Sequence, residues 1–157
     1  MRVHLLAIGK IRTGPVATLT EDYITRYNRL AGPLGIGPLA VREVEHSCKD
    51  PLKKLLDRKW DADSNTARYA LDASGSCLTS EAFAQRLACH REENIADLVF
   101  VIGGPDGFGS RGLPCDLPRL SLGPMTYPHL LARAVLAEQL YRATTILAGT
   151  PYHSGHV

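Results

Sequence analysis

The sequence predicts an α/β fold in which a parallel-rich sheet carries helices on both faces. Three observations lead there. Strand-length apolar segments alternate with helical ones in repeated β-α-β order. The run Leu98 to Ile102 is continuously apolar, as strands covered on both faces are. The 157 residues suit one domain with a real core. No internal repeat or linker interrupts residues 1–157, so a single domain is expected.

Taken in order, Arg2 to Ile8 is a strand ended by Gly9, and Thr20 caps a helix to about Leu30 with Tyr23, Ile24 and Tyr27 on one side. Ala31 to Pro38 holds three glycines and two prolines and is a loop. Leu39 to Val44 is a second strand. Pro51 opens a short basic helix that fades by Asp61. Arg68 to Leu71 is a third strand, Ser80 caps a helix to about Arg91, and Leu98 to Ile102 is a fourth strand. A long helix then runs from Pro128, a residue suited to a first turn, to about Leu147.

That last helix is the most informative segment. At 100° per residue, Leu130, Leu131, Val135, Leu136, Leu140, Tyr141, Ile146 and Leu147 spread around nearly its whole circumference. Its own sheet, and a second subunit of a homodimer, are expected to cover it. Two i,i+4 pairs of polar residues sit within it, His129 with Arg133 and Glu138 with Arg142. Charges in such a setting are costly unless paired or used.

Hydrophobic content of 45% with 22% charged residues excludes disorder. The net charge of +2 conceals an asymmetry: residues 1–60 hold eleven of the 18 Lys and Arg but six of the 16 Asp and Glu. A polyanion would meet that half, through Arg12, Lys53, Lys54, Arg58 and Lys59, unless these merely solvate a helix face. Cys48, Cys77, Cys89 and Cys115 are widely spaced, read as reduced thiols, and form no zinc motif, so no metal is expected. With no signal-peptide layout and no membrane-length apolar run, a cytoplasmic protein is expected.

After the strand ending at Ile102 comes Gly103-Gly104-Pro105-Asp106-Gly107-Phe108-Gly109. Glycines there let a ligand approach the backbone, or form a tight turn. A dinucleotide loop fits poorly, because Pro105 removes an N–H from the would-be cradle and no helix follows at once.

Ile102-Gly103-Gly104-Pro105-x-Gly107, Leu120-Ser121-Leu122-Gly123-Pro124-Met125-Thr126-x-Pro128-His129, Arg133-x-x-Leu136-Ala137-Glu138-Gln139-Leu140-Tyr141-Arg142-Ala143 and Pro151-Tyr152-His153 together resemble the RlmH family of SPOUT methyltransferases. The likeness runs the length of the chain, from Leu6-Ala7-Ile8-Gly9-Lys10 through Leu71-Asp72. It implies a deep C-terminal trefoil knot, with knot and donor site at about residues 98–153. It further implies a homodimer, S-adenosylmethionine as methyl donor, and N3 methylation of a pseudouridine in a 23S rRNA hairpin of the assembled ribosome. Pattern arguments alone would not propose a knot. A SPOUT-type methyltransferase acting on tRNA and a non-catalytic, ribosome-associated RNA-binding protein are the alternative classes.

The resemblance assigns donor binding to Leu71, Gly103, Gly104, Leu122, Gly123, Pro124, Met125, Thr126, Tyr127 and Pro128. These are largely small and turn-forming residues, as recognition by loop backbone requires. Methylating an imide nitrogen requires removal of its proton or stabilisation of the imide anion. The candidates are His153, His129 and Glu138, with Arg142 for a carbonyl oxygen or phosphate and Tyr152 to stack on or hydrogen-bond the base. Arg133 joins the expected RNA contacts. Glu138 with Arg142 also reads as a structural ion pair, and His129 as a support of the knot. Many members of the family it resembles carry Asn-His before Pro-Tyr-His where this chain has Gly149-Thr150, and here Ser154 to Val157 follow.

Overall fold

In a computed structural model, residues 1–56, 60, 65–108, 113–114 and 117–154 are described. The elements are β1 (Arg2–Ile8), α1 (Pro15–Ala31), β2 (Leu39–Val44), α2 (Pro51–Leu55), β3 (Thr66–Cys77), α3 (Ser80–Glu92), β4 (Asp97–Ile102), β5 (Arg119–Ser121) and α4 (His129–Leu147). They build one parallel five-stranded sheet in the order β2-β1-β4-β3-β5. Every residue of β4 is buried, in keeping with its uninterrupted apolar run between two neighbours.

The two faces are covered unequally. Val3, Leu5, Ala7, Leu98, Phe100 and Ile102 point to a core shared with α1, α3 and α4. Leu6, Ile8, Val44, Val99 and Val101 point the other way, onto Leu55 of α2, Trp60 and Phe108. A five-residue helix is all that α2 contributes there, while three long helices share the first face. At the sheet's amino end Asp97 receives Arg2 in two bonds, 2.8 and 2.6 Å, and lies 2.6 Å from His4 Nε2. Burial would raise the Asp97 carboxyl, but these two partners hold it below the ordinary aspartate value.

Several boundaries differ from those expected. Helix α1 starts at Pro15 after Gly14, five residues ahead of Thr20, because proline presets the first turn. Thr20 is buried inside that helix and donates to the Val16 carbonyl at 2.7 Å. Thr79, not Ser80, caps α3, its hydroxyl accepting from the Ala82 amide at 3.2 Å. Strand β3 runs on to Cys77 because β5, an unexpected three-residue strand, pairs with it on both sides of an irregularity between Leu71 and Ser76. The basic helix stops at Leu55.

Helix α4 lies between α1 and α3 and is already mostly covered within one chain. Leu136 and Leu140 are fully buried, and among its large apolar residues Leu131 alone is exposed, at 38%. Its end is sharply defined. Gly149, at φ +66°, donates to the Ile146 carbonyl, and Thr150 donates to the Thr145 carbonyl at 2.9 Å. This pair of bonds is a Schellman stop, which needs the left-handed conformation glycine adopts freely. It turns the Pro151-Tyr152-His153 tail back along α4. No helix among the described residues is long and apolar enough to cross a membrane.

Candidate active site

Beside β3 and β5 a cavity of about 130 Å³ is walled by Leu71 to Ala73, Leu120 to Gly123, Met125 to Tyr127 and Ala132. A second, of about 240 Å³, shares Leu120 to Gly123 and Tyr127 and adds Leu78, Phe83, Val135 and Gln139. Six of the expected donor residues therefore meet here: Leu71, Leu122, Gly123, Met125, Thr126 and Tyr127. Pro124 and Pro128 are exposed neighbours on the same loop. The loop is pinned at its root, where Ser121 Oγ donates to the Gly123 carbonyl at 2.8 Å and accepts from the Gly123 amide at 3.2 Å.

The Gly103 to Gly107 stretch is a tight turn. Gly104 and Gly107 exchange amide bonds of 2.8 and 3.0 Å. A Cβ on Gly103 would stand 2.7 Å from the Gly107 carbonyl carbon, so this close approach of two backbone segments admits only glycine. A Cβ on Gly104 would meet Ile8 and His46, each at 3.0 Å. The room a side chain there would take is thus filled by protein on the α2 side of the sheet.

The tail assembles the second half of the site. Glu138 Oε1 accepts from Arg142 Nε at 2.9 Å, from its Nη2 at 2.5 Å, and from the Tyr152 hydroxyl at 3.1 Å. The Arg142 guanidinium carbon sits 4.9 Å from the Tyr152 ring centre, and the Tyr141 ring packs against Tyr152 at 4.7 Å, tilted by 58°. His153 Nδ1 faces Arg142 Nη1 at 3.4 Å, and its Nε2 meets Glu81 Oε1 at 2.8 Å. Burial works against the Arg142 charge, but Glu138 outweighs it and the guanidinium is held more firmly protonated than usual. Burial, with Tyr23 and Glu138 beside it, pushes the Tyr152 phenol up, so it acts as a hydroxyl. Four expected catalytic residues, Glu138, Arg142, Tyr152 and His153, are thereby brought together.

Gln139 joins the tail cluster to the cavity. It lines the cavity wall, its amide nitrogen donates to Glu138 Oε2 at 2.7 Å, and its oxygen accepts from Ser80 Oγ at 2.9 Å. Gln139, Glu81, Ser80 and Tyr23 were not anticipated from the sequence. Only Gln139 adjoins a predicted residue; the others reach the site from distant elements.

Two expected site residues lie apart from this cluster. His129 stands nine and thirteen residues before Glu138 and Arg142, about 13 and 20 Å along the helix axis. It packs instead against Gly9, its Nε2 being 3.4 Å from where a Gly9 Cβ would lie. Burial, then the charges of Arg133 and His46, push its imidazole down, so it is neutral near pH 7. Arg133, an expected RNA contact, is 1% exposed. It pairs with Glu43 and donates to the Gly9 carbonyl at 2.9 Å instead of pairing with the polar residue one turn before it. A helix surrounded by apolar residues leaves a guanidinium no route to solvent, so its two terminal nitrogens find partners at the ends of β1 and β2, while its Nε has none among the described residues.

The other basic residues lie on the opposite sheet edge. Lys53 and Lys54 are exposed on α2, and Arg12 is exposed beside Glu45 at 3.5 Å. A groove of about 340 Å³ lined by Lys10, Arg42, Glu45, Ser47 and Lys54 runs past them. Arg58, Lys59 and Cys115 lie outside the described residues. Strands β1 and β4 separate β2 from β3, an offset of about 14 Å at the usual strand spacing.

A family model described as "Predicted SPOUT methyltransferase" matches residues 1–153. The chain belongs to the SPOUT methyltransferase family. It is 45% identical over 156 residues to the "Ribosomal RNA large subunit methyltransferase H" of Ruegeria pomeroyi, covering 98% of this chain and 99% of that one. It is 44% identical over 155 residues to the protein of the same description from Roseobacter denitrificans, with the same coverage. A probable methylase family protein of Haemophilus influenzae Rd KW20 shares the fold at a TM-score of 0.51 and 10% identity, over 99% of this chain and 71% of that one. As a SPOUT methyltransferase the chain implies a methyl donor, and the paired cavities fit an adenosyl group. Their apolar walls and Ser121-pinned loop present backbone groups, and Asp72, held ionised by the Ser74 hydroxyl and amide, offers a carboxylate at the rim.

The Arg133 assignment is testable. Arg133→Gln leaves Glu43 without its buried partner and is expected to cost about 3 kcal/mol, lowering Tm by roughly 10 °C. The salt dependence of RNA binding should be unchanged. A variant of wild-type stability with weakened RNA affinity would return Arg133 to the RNA-contacting surface.

Proposed function

We propose that this SPOUT methyltransferase methylates N3 of a pseudouridine in a 23S rRNA hairpin of the assembled ribosome. The observation that carries the reading is Gln139, through which the nucleoside-sized cavity abuts the Glu138-Arg142-Tyr152-His153 cluster. The names of the full-length relatives supply the substrate class. Residues 1–157 act as one domain, with the knot expected of the family in the 98–153 region, and the enzyme works in the cytoplasm as a homodimer. Exposed Leu19 of α1 and Leu131 of α4 are available for that contact.

Bound in the cavity, S-adenosylmethionine supplies an electrophilic methyl carbon. The chain's residues do the rest. His153 accepts the N3 proton, which frees the lone pair that N3 needs in order to attack. Arg142, kept protonated by Glu138, faces the oxygen on which the imide charge collects. Tyr152, beside Arg142 and Tyr141, stacks on or hydrogen-bonds the base. Glu138 positions both Arg142 and Tyr152 and is fully engaged in doing so, which makes His153 the stronger proton acceptor.

Binding and chemistry are separable. In His153→Ala the single-turnover rate on ribosomes is expected to fall by about 10²-fold, with S-adenosylmethionine affinity by calorimetry nearly unchanged. A wild-type rate would remove His153 from the reaction, and failure of the wild-type protein to bind the donor would refute the methyltransferase site.

The basic edge serves RNA. Arg12, Lys53 and Lys54 lie together at the β2 side, where ribosomal phosphates would release counterions on binding. Replacing all three with Gln should raise the ribosome KM and flatten its salt dependence while leaving donor affinity alone. An unchanged salt slope would place the RNA elsewhere.

A further inference from the structure

His153 is held at both ring nitrogens, and the two partners are chemically opposite. Nε2 meets a carboxylate oxygen of Glu81 at 2.8 Å, and Nδ1 faces a guanidinium nitrogen of Arg142 at 3.4 Å. A neutral imidazole carries one proton. Glu81 can only accept and Arg142 can only donate, so one tautomer satisfies both contacts: the proton on Nε2, the lone pair on Nδ1. Glu81 is suited to this role by its place in the fold. It is the second residue of α3, after the Thr79 cap, and its own backbone N–H, then His153 and the Thr79 hydroxyl, hold its carboxyl down to about 2. It is therefore an ionised acceptor near neutral pH.

We propose that Glu81 is a positioning residue for the methyl-transfer site, fixing the tautomer and ring orientation of His153 so that Nδ1, on the Arg142 side, is the atom that takes the proton. This rests on the assignment of His153 as proton acceptor. The 3.4 Å contact to Arg142 is long for a hydrogen bond and easily exchanged for a substrate N–H, whereas the 2.8 Å bond to Glu81 is the one that persists. The Glu81 and His153 side chains are 63% and 33% exposed, so the pair adds little to stability. Its consequence is orientation. Glu81 also reaches the tail from α3, seventy-two residues earlier in the chain, and so anchors the tail to an element other than α4.

The test separates tautomer from turnover. Imidazole ¹⁵N spectra of the full-length protein, with the His153 signals identified by their loss in His153→Ala, should show the Nε2-protonated form in wild type. Glu81→Gln, which keeps an acceptor oxygen, should preserve it, and Glu81→Ala should give a mixture of tautomers. In single turnover, Glu81→Ala should slow methylation roughly ten-fold, well short of the 10⁴ lost at a fully buried histidine partner. Glu81→Gln should restore much of that rate. Adding Glu81→Ala to His153→Ala should cost nothing more. Identical ¹⁵N spectra in wild type and Glu81→Ala, or rate losses that multiply in the double variant, overturn the proposal. If His153→Ala turns over normally, the proton-acceptor assignment fails instead, and the ¹⁵N spectra still decide what Glu81 does.

Discussion

The buried guanidinium of Arg133 is the constraint around which the site is organised. It sits in the most apolar helix of the chain and reaches the carboxyl ends of two strands, taking the Gly9 carbonyl after β1 and the Glu43 carboxylate of β2. A buried charge with no partner is strongly destabilising, so α4 can neither slide nor rotate without breaking these contacts. Burial disfavours the charge, and Glu43 restores it only in part. Fixing the helix at Arg133 fixes every residue after it. Glu138, Gln139 and Arg142 follow at five, six and nine residues, so that Glu138 and Arg142 face the tail and Gln139 faces the cavity wall and Ser80 of α3.

Two stops then complete the arrangement. The Schellman turn at Gly149 sends the tail back along α4, where Tyr152 and His153 find partners on α4, α1 and α3. The Ser121 contacts hold the root of the loop leading into α4, so the cavity is framed before any ligand enters. Gln139 belongs to both halves. The cavity and the polar cluster are therefore faces of one structure, with Ser80 bracing the amide from behind.

Much of this was legible in the sequence. Strands β1 and β2 have their expected limits, β1 being closed by Gly9 and β2 preceded by the glycine- and proline-rich loop, and α4 is within one residue of expectation. The Glu138-Arg142 pair was visible in its i,i+4 spacing. What failed depended on distant contacts. The second half of β3 contains Ser74, Gly75 and Ser76 and is a strand only because β5 pairs with it. Thr20 reads as a cap, yet Pro15 starts the helix first. The apolar helix shows that Arg133 needs a partner, but not that Glu43, ninety residues earlier, supplies it. Glu81 carries no local signal at all, because its partner lies at the other end of the chain.

The central claim is that one cavity and one folded-back tail together methylate a ribosomal pseudouridine. Mass mapping of 23S rRNA from a strain lacking the gene, with and without its restoration, tests this most directly. The account predicts that a single pseudouridine loses its N3 methyl group in the deletion and regains it when the wild-type gene returns. An unchanged 23S methylation map, or a methyl group lost from a tRNA instead, would contradict it.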